Sequence, residues 1–291
     1  MISRKSTCMI TALGVCLGVA GGAFAADWTA YNDACFDPDK LGVGTDPNGQ
    51  SVHYTSPNVT YWDIGSGHKH ASSGELIKKS DGTGTGVTAS LTQNTAVGGS
   101  VIWQPDVSSN WYGGYDPAAG TDARTTFGGI VDMTGVTYYG NSGWWVDLEL
   151  TGLDSSKEYT FATSATRCKS SYNRLSIFTL TGADAYTNAS TPGTDNDTQT
   201  FSNGTAILGP NQVRFNTGDN YNEGYVARWT GIDPGSDGTI TICVEADPAS
   251  DDNGRKAYSF DVYKLVQIPE PATMSLLGLG ALALIRRRRK A

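Results

Sequence analysis

Cysteine, histidine and sequence motifs of known catalytic sites are scarce in this chain of 291 residues. No Gly-x-Ser-x-Gly, His-Glu-x-x-His, Walker or dinucleotide-binding motif occurs. The three histidines fall at 53, 68 and 70, so a Ser-His-Asp triad has little support. No segment shows a convincing amphipathic helical period. These absences argue against the common hydrolase and nucleotide-binding classes, and we expect the protein not to be an enzyme.

The N-terminus has the three parts of a secretory signal peptide. Arg4 and Lys5 precede an apolar stretch from Cys8 to Ala20, and Ala23-Phe24-Ala25 supplies the small residues that a signal peptidase reads. We therefore predict a signal helix within residues 1–25, cleavage after Ala25, and an exported mature chain.

Three cysteines, Cys35, Cys168 and Cys243, remain after that cleavage. Their spacing is too wide for a Cys-x-x-Cys metal or redox site, and their odd number permits one intramolecular disulfide at most. Export permits such a bond. We favour Cys168 with Cys243, because both lie in strand-like segments.

The mature body is strongly acidic. Residues 26–268 keep 14 of the 21 basic and 28 of the 29 acidic residues, a net charge of −14. This charge disfavours nucleic acids and anionic lipids as partners, and it is compatible with Ca²⁺ or a neutral polysaccharide.

Strand-like alternation runs through the C-terminal half. Apolar side chains alternate with polar ones in three segments: Trp144 to Leu150, Ile240 to Ala246, and Tyr258 to Val262. With 36 glycines and frequent turn residues, this pattern predicts an all-β fold in which residues 26–265 form a single large β-sandwich. The jelly-roll and the immunoglobulin or galactose-binding topologies both remain open. Residues 31–126 alternate less cleanly, and we expect long loops there.

A weak internal repeat supports the sandwich. Leu150-Thr151-Gly152-Leu153-Asp154 leads into a predicted strand at 158–166, and Trp229-Thr230-Gly231-Ile232-Asp233 leads into another at 238–246. Leu153 and Tyr159 resemble the corner of fibronectin-type sandwiches, where the ring covers the sheet end and the hydroxyl reaches the backbone.

Aromatic residues are concentrated between Trp103 and Trp145. Trp111, Tyr112 and Tyr115 lie in a Gly/Asn/Pro-rich segment and are the best candidates for exposure. Exposed aromatic faces stack on sugar rings, so we predict a polysaccharide-binding site at these three residues. Packing in the sandwich core is the alternative.

Three other groups suggest chemistry less strongly. Asp195 and Asp197, and Asp251 and Asp252, place oxygen ligands of the kind that Ca²⁺ prefers in two loops, although solvated turns are the commoner explanation. His68 and His70 fit an exposed loop better than a metal site. A hydrolase would use paired carboxylates, for which the chain offers the following residues: Asp147, Glu149, Glu158, Glu223 and Glu245.

The C-terminus has three consecutive parts. Pro269, Glu270 and Pro271 end a linker that begins at residue 266, the apolar run 272–285 follows, and the tail 286–291 contains Arg286, Arg287, Arg288, Arg289 and Lys290. At about 1.5 Å per residue, the run as a helix covers roughly 21 Å of a hydrocarbon core about 30 Å thick. It is therefore a poor permanent anchor, and the basic residues hold it with the body outside. An ordinary tail anchor is the alternative.

This arrangement, from Ile268 to Ala291, resembles the C-terminal signal of PEP-CTERM proteins. The resemblance implies processing by an exosortase after export, transient membrane association, a cell-surface or extracellular location, and a link to exopolysaccharide. It assigns no catalytic residue. The body, from Trp144 to Trp229, resembles an uncharacterised sandwich of environmental bacteria, which implies architecture alone. We expect a structural or polysaccharide-interacting module, with a secreted carbohydrate-active hydrolase as the alternative.

Overall fold

The computed structural model describes ten stretches of the chain: 27–34, 57–61, 73–93, 102–104, 116–133, 136–139, 145–168, 170–194, 208–247 and 257–268. The predicted signal helix and the apolar run 272–285 lie outside them.

Short strands make up most of the described chain, and one short helix accompanies them. The elements are β1 (Trp28–Asp33), β2 (Thr60–Tyr61), β3 (Ser73–Ile77), β4 (Gly84–Gln93), β5 (Ile102–Gln104), α1 (Asp122–Phe127), β6 (Val136–Tyr139), β7 (Trp145–Thr151), β8 (Glu158–Ser164), β9 (Leu175–Thr181), β10 (Ala185–Asn188), β11 (Gln212–Asn216), β12 (Ala227–Asp233), β13 (Thr239–Ala246), β14 (Ala257–Tyr258) and β15 (Val262–Ile268).

Two six-stranded sheets pack face to face, which confirms the predicted all-β sandwich. Sheet 1 has the strand order β10-β12-β8-β15-β1-β2, sheet 2 has the order β11-β9-β13-β7-β4-β3, and a small third sheet has the order β14-β6-β5. The described strand pairs are antiparallel except for β1 with β2. From β7 to β13, successive strands alternate between sheet 2 and sheet 1.

The crossings between the sheets define two ends of the sandwich. At one end lie the turns 152–157, 182–184 and 234–238, and β15 leaves there; we call it the exit end. At the other end lie the loops 165–174 and 217–226 and the segment 257–261; we call it the loop end. The C-terminal signal therefore departs from the end opposite these loops.

Side chains that alternate inward along the strands form the core. Val146, Leu148 and Leu150 of β7 have no exposed surface, and the isoleucines of β13 are equally buried, as the alternation predicted. Phe178 stacks on Phe215 with ring centroids 4.9 Å apart. Burying a side chain such as phenylalanine contributes about 1.5–3 kcal/mol, so these rings supply much of the stability of the sandwich.

The predicted internal repeat and corner are confirmed. The two copies form β7-turn-β8 and β12-turn-β13, and the buried Tyr159 accepts a hydrogen bond from the backbone N–H of Asp154 at 2.8 Å. The two turns also touch, because the N–H of Leu153 donates to the carbonyl oxygen of Gly238. A Cβ at Gly238 would lie 2.3 Å from the carbonyl oxygen of Leu153, and its φ is +63°. Gly238 occupies the position in the second copy that Tyr159 occupies in the first, and glycine is required there because no Cβ fits.

Two sequence predictions were wrong. The alternation from Tyr258 to Val262 predicted a half-buried strand with Ser259 and Asp261 on its solvent face, but both are buried, because residues 257–261 cross the loop end of the core. Residues 31–126 were expected to be long loops, yet they contain the β3-β4 hairpin, whose β4 pairs with β7.

Helix α1 and the residues after it cover part of the outer face of sheet 1. Phe127, Val131 and Met133 pack there with Tyr31 and Val262 in a second apolar cluster. Asp122 fixes the helix to β12, because its two oxygens accept hydrogen bonds from Arg228 at 2.7 and 3.0 Å.

Candidate functional site

The loop end is held together by hydrogen bonds from one buried asparagine. The amide nitrogen of Asn220 donates to the carbonyl oxygens of Tyr225, at 3.0 Å, and Ala165, at 3.3 Å, while its side-chain oxygen accepts from the N–H of Tyr225. Asn220 thus joins the loop 217–226 to the loop 165–174. Each such bond contributes about 1 kcal/mol net, so the two loops are held in a fixed relative position at this end of the sandwich.

An arginine and two tyrosines form a stack at this end. The guanidinium carbon of Arg174 lies 3.6 Å from the ring centroid of the half-buried Tyr172. Arg174 also donates to the hydroxyl of the buried Tyr258. Burial, opposed by the charge of Arg174, raises the pKa of Tyr258 to about 12. Tyr258 therefore stays protonated, and Arg174 holds the Tyr172 ring by a cation–π contact.

Asp261 brings a buried carboxyl group beneath the same loops. One of its oxygens accepts from the N–H of Thr166 at 2.5 Å, and the other has no hydrogen-bond partner. Burial raises the pKa of Asp261 well above its usual value; the Thr166 bond opposes this, and the nearby carboxylates of Asp33 and Asp132 add to it. The environment therefore favours the uncharged acid.

A buried ion pair lies nearby on sheet 2. Arg214 of β11 donates to Asp247, which follows β13, and both side chains are only 1% exposed. Removing one partner of such a pair leaves a buried charge, which costs about 3–5 kcal/mol. Asp247 therefore has a structural role.

The residues predicted to bind glycan and Ca²⁺ lie outside the described stretches. These are Trp111, Tyr112, Tyr115, Asp195, Asp197, Asp251 and Asp252, and the three histidines lie outside them as well. The described residues that follow the aromatic segment are bonded to the loop end. Asp116 is buried and bound to Arg124 at 2.5 Å, and Ala118 donates to the carbonyl oxygen of Tyr221. Thr194 and Asp247 are the last described residues before the two acidic segments.

Within the described part of the chain, no three His, Cys, Asp or Glu side chains are placed to hold a metal ion. The Ca²⁺ prediction falls on other residues and stays a prediction.

The two described cysteines occupy different settings. Both are free thiols in the structure, so the predicted disulfide between Cys168 and Cys243 is not formed there. Cys168 follows β8, with its sulfur 3.3 Å from the Thr166 hydroxyl. Cys243 faces Asp147 across β13 and β7. Burial, then the hydrogen bond and charge of Asp147, raise the pKa of the Cys243 thiol, which disfavours a nucleophilic thiolate.

The structure brings together three of the five carboxylates proposed for hydrolysis. Asp147 and Glu149 of β7 point to the outer face of sheet 2, opposite the buried Leu148, and Glu245 of β13 points the same way. Glu158 lies instead at the exit end and Glu223 in the loop 217–226.

Sequence reasoning missed the stack of Tyr172, Arg174 and Tyr258. Tyr172 and Tyr258 are 86 positions apart in the sequence, so no local pattern joins them. The only available signal was Arg174, a charged residue just before the apolar strand β9.

The C-terminal signal is the part of the chain that comparison with known proteins identifies. Residues 267–290 match the model of the PEP-CTERM protein-sorting motif, which confirms the predicted resemblance. No curated protein and no solved structure matches the chain significantly. The motif match shows that the chain carries an exosortase sorting signal, which implies export and a surface or extracellular location.

No helix within the described stretches has the length and apolarity that crossing a membrane requires.

Proposed function

We propose that the body of this exported protein is a non-catalytic module that binds extracellular polysaccharide through its loop end. One observation carries the proposal: the partly exposed ring of Tyr172, held by Arg174, lies at the end of the sandwich opposite the sorting signal. A site there faces away from the membrane while the signal is still attached. Tyrosine rings bind sugars because the C–H groups of the sugar meet the negative face of the ring.

Two further features support a sugar ligand. Asp116, which directly follows Tyr115, is anchored by Arg124, and the backbone that follows it hydrogen-bonds to the loop 217–226. The predicted aromatic residues are thus adjacent in sequence to the loop end. The net charge of −14 over residues 26–268 disfavours polyanions, so a neutral polysaccharide is the expected class.

Affinity electrophoresis of residues 26–268 in gels that contain neutral or acidic polysaccharides tests the proposal. We expect retardation in at least one neutral gel, and loss of that retardation in the double variant Trp111→Ala, Tyr112→Ala. Tyr172→Ala should weaken retardation, whereas Tyr172→Phe should retain it, because the phenylalanine keeps the ring face.

Unchanged mobility in every gel would overturn the proposal and favour a passive matrix protein. Release of reducing ends from the retarding polysaccharide, abolished by Asp147→Asn or Glu149→Gln, would favour the hydrolase instead. Each variant needs a wild-type melting temperature, so that lost binding is not confused with lost folding.

A further inference from the structure

The sorting motif begins inside the folded body. Its first two residues, Gln267 and Ile268, belong to β15, which ends three residues beyond the predicted domain boundary at 265. Gln267 pairs with Trp28 on one side and Tyr159 on the other, and its amide donates to the Tyr159 hydroxyl at 2.9 Å. Because β15 is paired along both edges, the position and direction of the chain are fixed at the start of the motif.

Very little chain separates this strand from the membrane. Only Pro269, Glu270 and Pro271 lie between Ile268 and the apolar run 272–285. Three extended residues span at most about 11 Å. While the apolar run is inserted in the bilayer, the exit end must therefore lie within about 11 Å of the membrane surface.

The surface around this exit is acidic. Beside β15, its described residues carry six carboxylates and one ammonium group, Lys157: Asp27, Asp154, Glu158, Asp184, Asp233 and Asp237. Asp27, Asp154, Asp184 and Asp237 are exposed. The β3-β4 turn bonds to β1 at the same end through Ala30 and Thr29 and adds Lys78, Lys79 and Asp81, which makes seven carboxylates to three ammonium groups and leaves this end acidic.

Charge decides between the two surfaces that this end can meet. Anionic lipid headgroups repel a carboxylate-rich surface, whereas a protein surface with basic side chains attracts it and orients the encounter. The enzyme that reads the motif must approach within the same short distance of the exit.

We propose that the exit end is a docking surface for the membrane-embedded exosortase, which meets it with a cationic surface while it processes the motif. The body then contributes to recognition, because it is held against the enzyme by the paired strand β15. This inference does not depend on the polysaccharide proposal, which concerns the opposite end of the sandwich.

Charge reversal in the full-length chain tests the docking surface. Asp184→Lys with Asp237→Lys reverses two exposed charges at the exit end; Asp219→Lys with Glu223→Lys reverses one half-buried and one exposed charge in the loop 217–226 and is the control. Pulse–chase labelling in cells that export the protein and contain the exosortase measures the rate of conversion to the processed form. We expect the exit-end variant to be processed about three- to tenfold more slowly and the control at the wild-type rate.

A flexible insertion between the body and the motif provides a second test of the docking surface. Twelve Gly/Ser residues inserted between Ile268 and Pro269 let the body move about 20 Å from the motif, which lowers its effective concentration at the enzyme. Processing should slow, and the charge reversal should then have less effect. Equal rates for the exit-end variant and its control, or faster processing with the spacer, would overturn the proposal. Unchanged melting temperatures of the purified bodies separate docking from folding.

Discussion

At the residue scale, the polar side chains buried beneath the loops set how stability responds to pH. Asp261 is 1% exposed and has an oxygen without a hydrogen-bond partner, so its ionisation opposes folding. The carboxylate of Asp154 lies at the exit end and accepts hydrogen bonds from Ser156 at 2.9 and 2.7 Å. The same residue type therefore has opposite effects at the two ends of the sandwich.

Replacing Asp261 by asparagine should stabilise the protein at neutral pH. The folded-state pKa of Asp261 lies well above its usual value, so the unfolded chain loses this proton first. Stability then falls as the pH rises from about 4 towards the folded-state pKa. Asp261→Asn removes this loss, and urea unfolding from pH 3 to pH 8 should show a gain at pH 7 that disappears below about pH 4.

Asp154→Asn serves as the opposite control. Backbone and side-chain hydrogen bonds from Ser156 lower the pKa of Asp154, so its contribution is present above about pH 4 and is lost as the pH falls through the folded-state pKa. The variant should be less stable than wild type at pH 7. A gain from both variants, or from neither, would contradict these assignments.

The hydroxyl of Tyr159 is the second residue-scale test. Tyr159→Phe keeps the buried ring but removes the acceptor for the Asp154 N–H and the Gln267 amide. Leaving a partly buried donor unsatisfied costs about 1–3 kcal/mol, which chemical denaturation would detect. Tyr186→Phe, at a half-buried tyrosine of β10, should change the free energy of unfolding by much less.

At the element scale, α1 depends on charge as well as on apolar packing. Asp122, the first helical residue, receives hydrogen bonds from Arg228 and from Thr191, the latter at 2.6 Å. Burial raises the pKa of Asp122, but these bonds outweigh it and the net pKa is lowered. The helix should therefore loosen as the pH falls below about 4.

A double-mutant cycle measures this attachment. Asp122→Ala and Arg228→Ala should each destabilise the protein, with a coupling of about 1 kcal/mol, because both side chains remain 23% exposed. Arg228→Lys should recover only part of the coupling, since lysine lacks the planar fork that meets both oxygens. Additive free energies of unfolding would show that the Asp122–Arg228 ion pair does not contribute to the attachment of the helix.

Sequence reasoning succeeded where local alternation decides the structure and failed where distant contacts decide it. β7 and β13 were predictable because Val146, Leu148, Ile240 and Ile242 alternate with polar residues and pack into one core. The segment 257–261 alternates in the same way, yet it crosses between the sheets, where Ser164, Thr166 and Thr217 form hydrogen bonds with its backbone and with one oxygen of Asp261. Such partners, about 40 to 100 positions away, leave no trace in a local window.

At the scale of the whole molecule, the two termini of the body meet in sheet 1. β15 lies between β8 and β1, and Trp28 pairs with Gln267. The strand in which the sorting motif begins is therefore a central strand of the fold.

Truncation tests whether β15 is required for the body to fold. A chain that ends at Ile268 should melt at the temperature of the full-length protein, because it keeps every described strand pair. A chain that ends at Asp261 should fail to fold, since it loses the partner of both β1 and β8. Circular dichroism and resistance to trypsin distinguish the two. A folded chain that ends at Asp261 would show that sheet 1 closes without β15.

The central position of β15 also sets an order of events during biosynthesis. The predicted signal peptide implies that the chain is exported from its N-terminus; sheet 1 then remains in two halves until the last seven residues before Pro269 have crossed. The sorting motif and the strand that completes sheet 1 are thus exported together. A chain that terminates before β15 lacks both, so only chains that contain the strand completing sheet 1 carry the sorting motif.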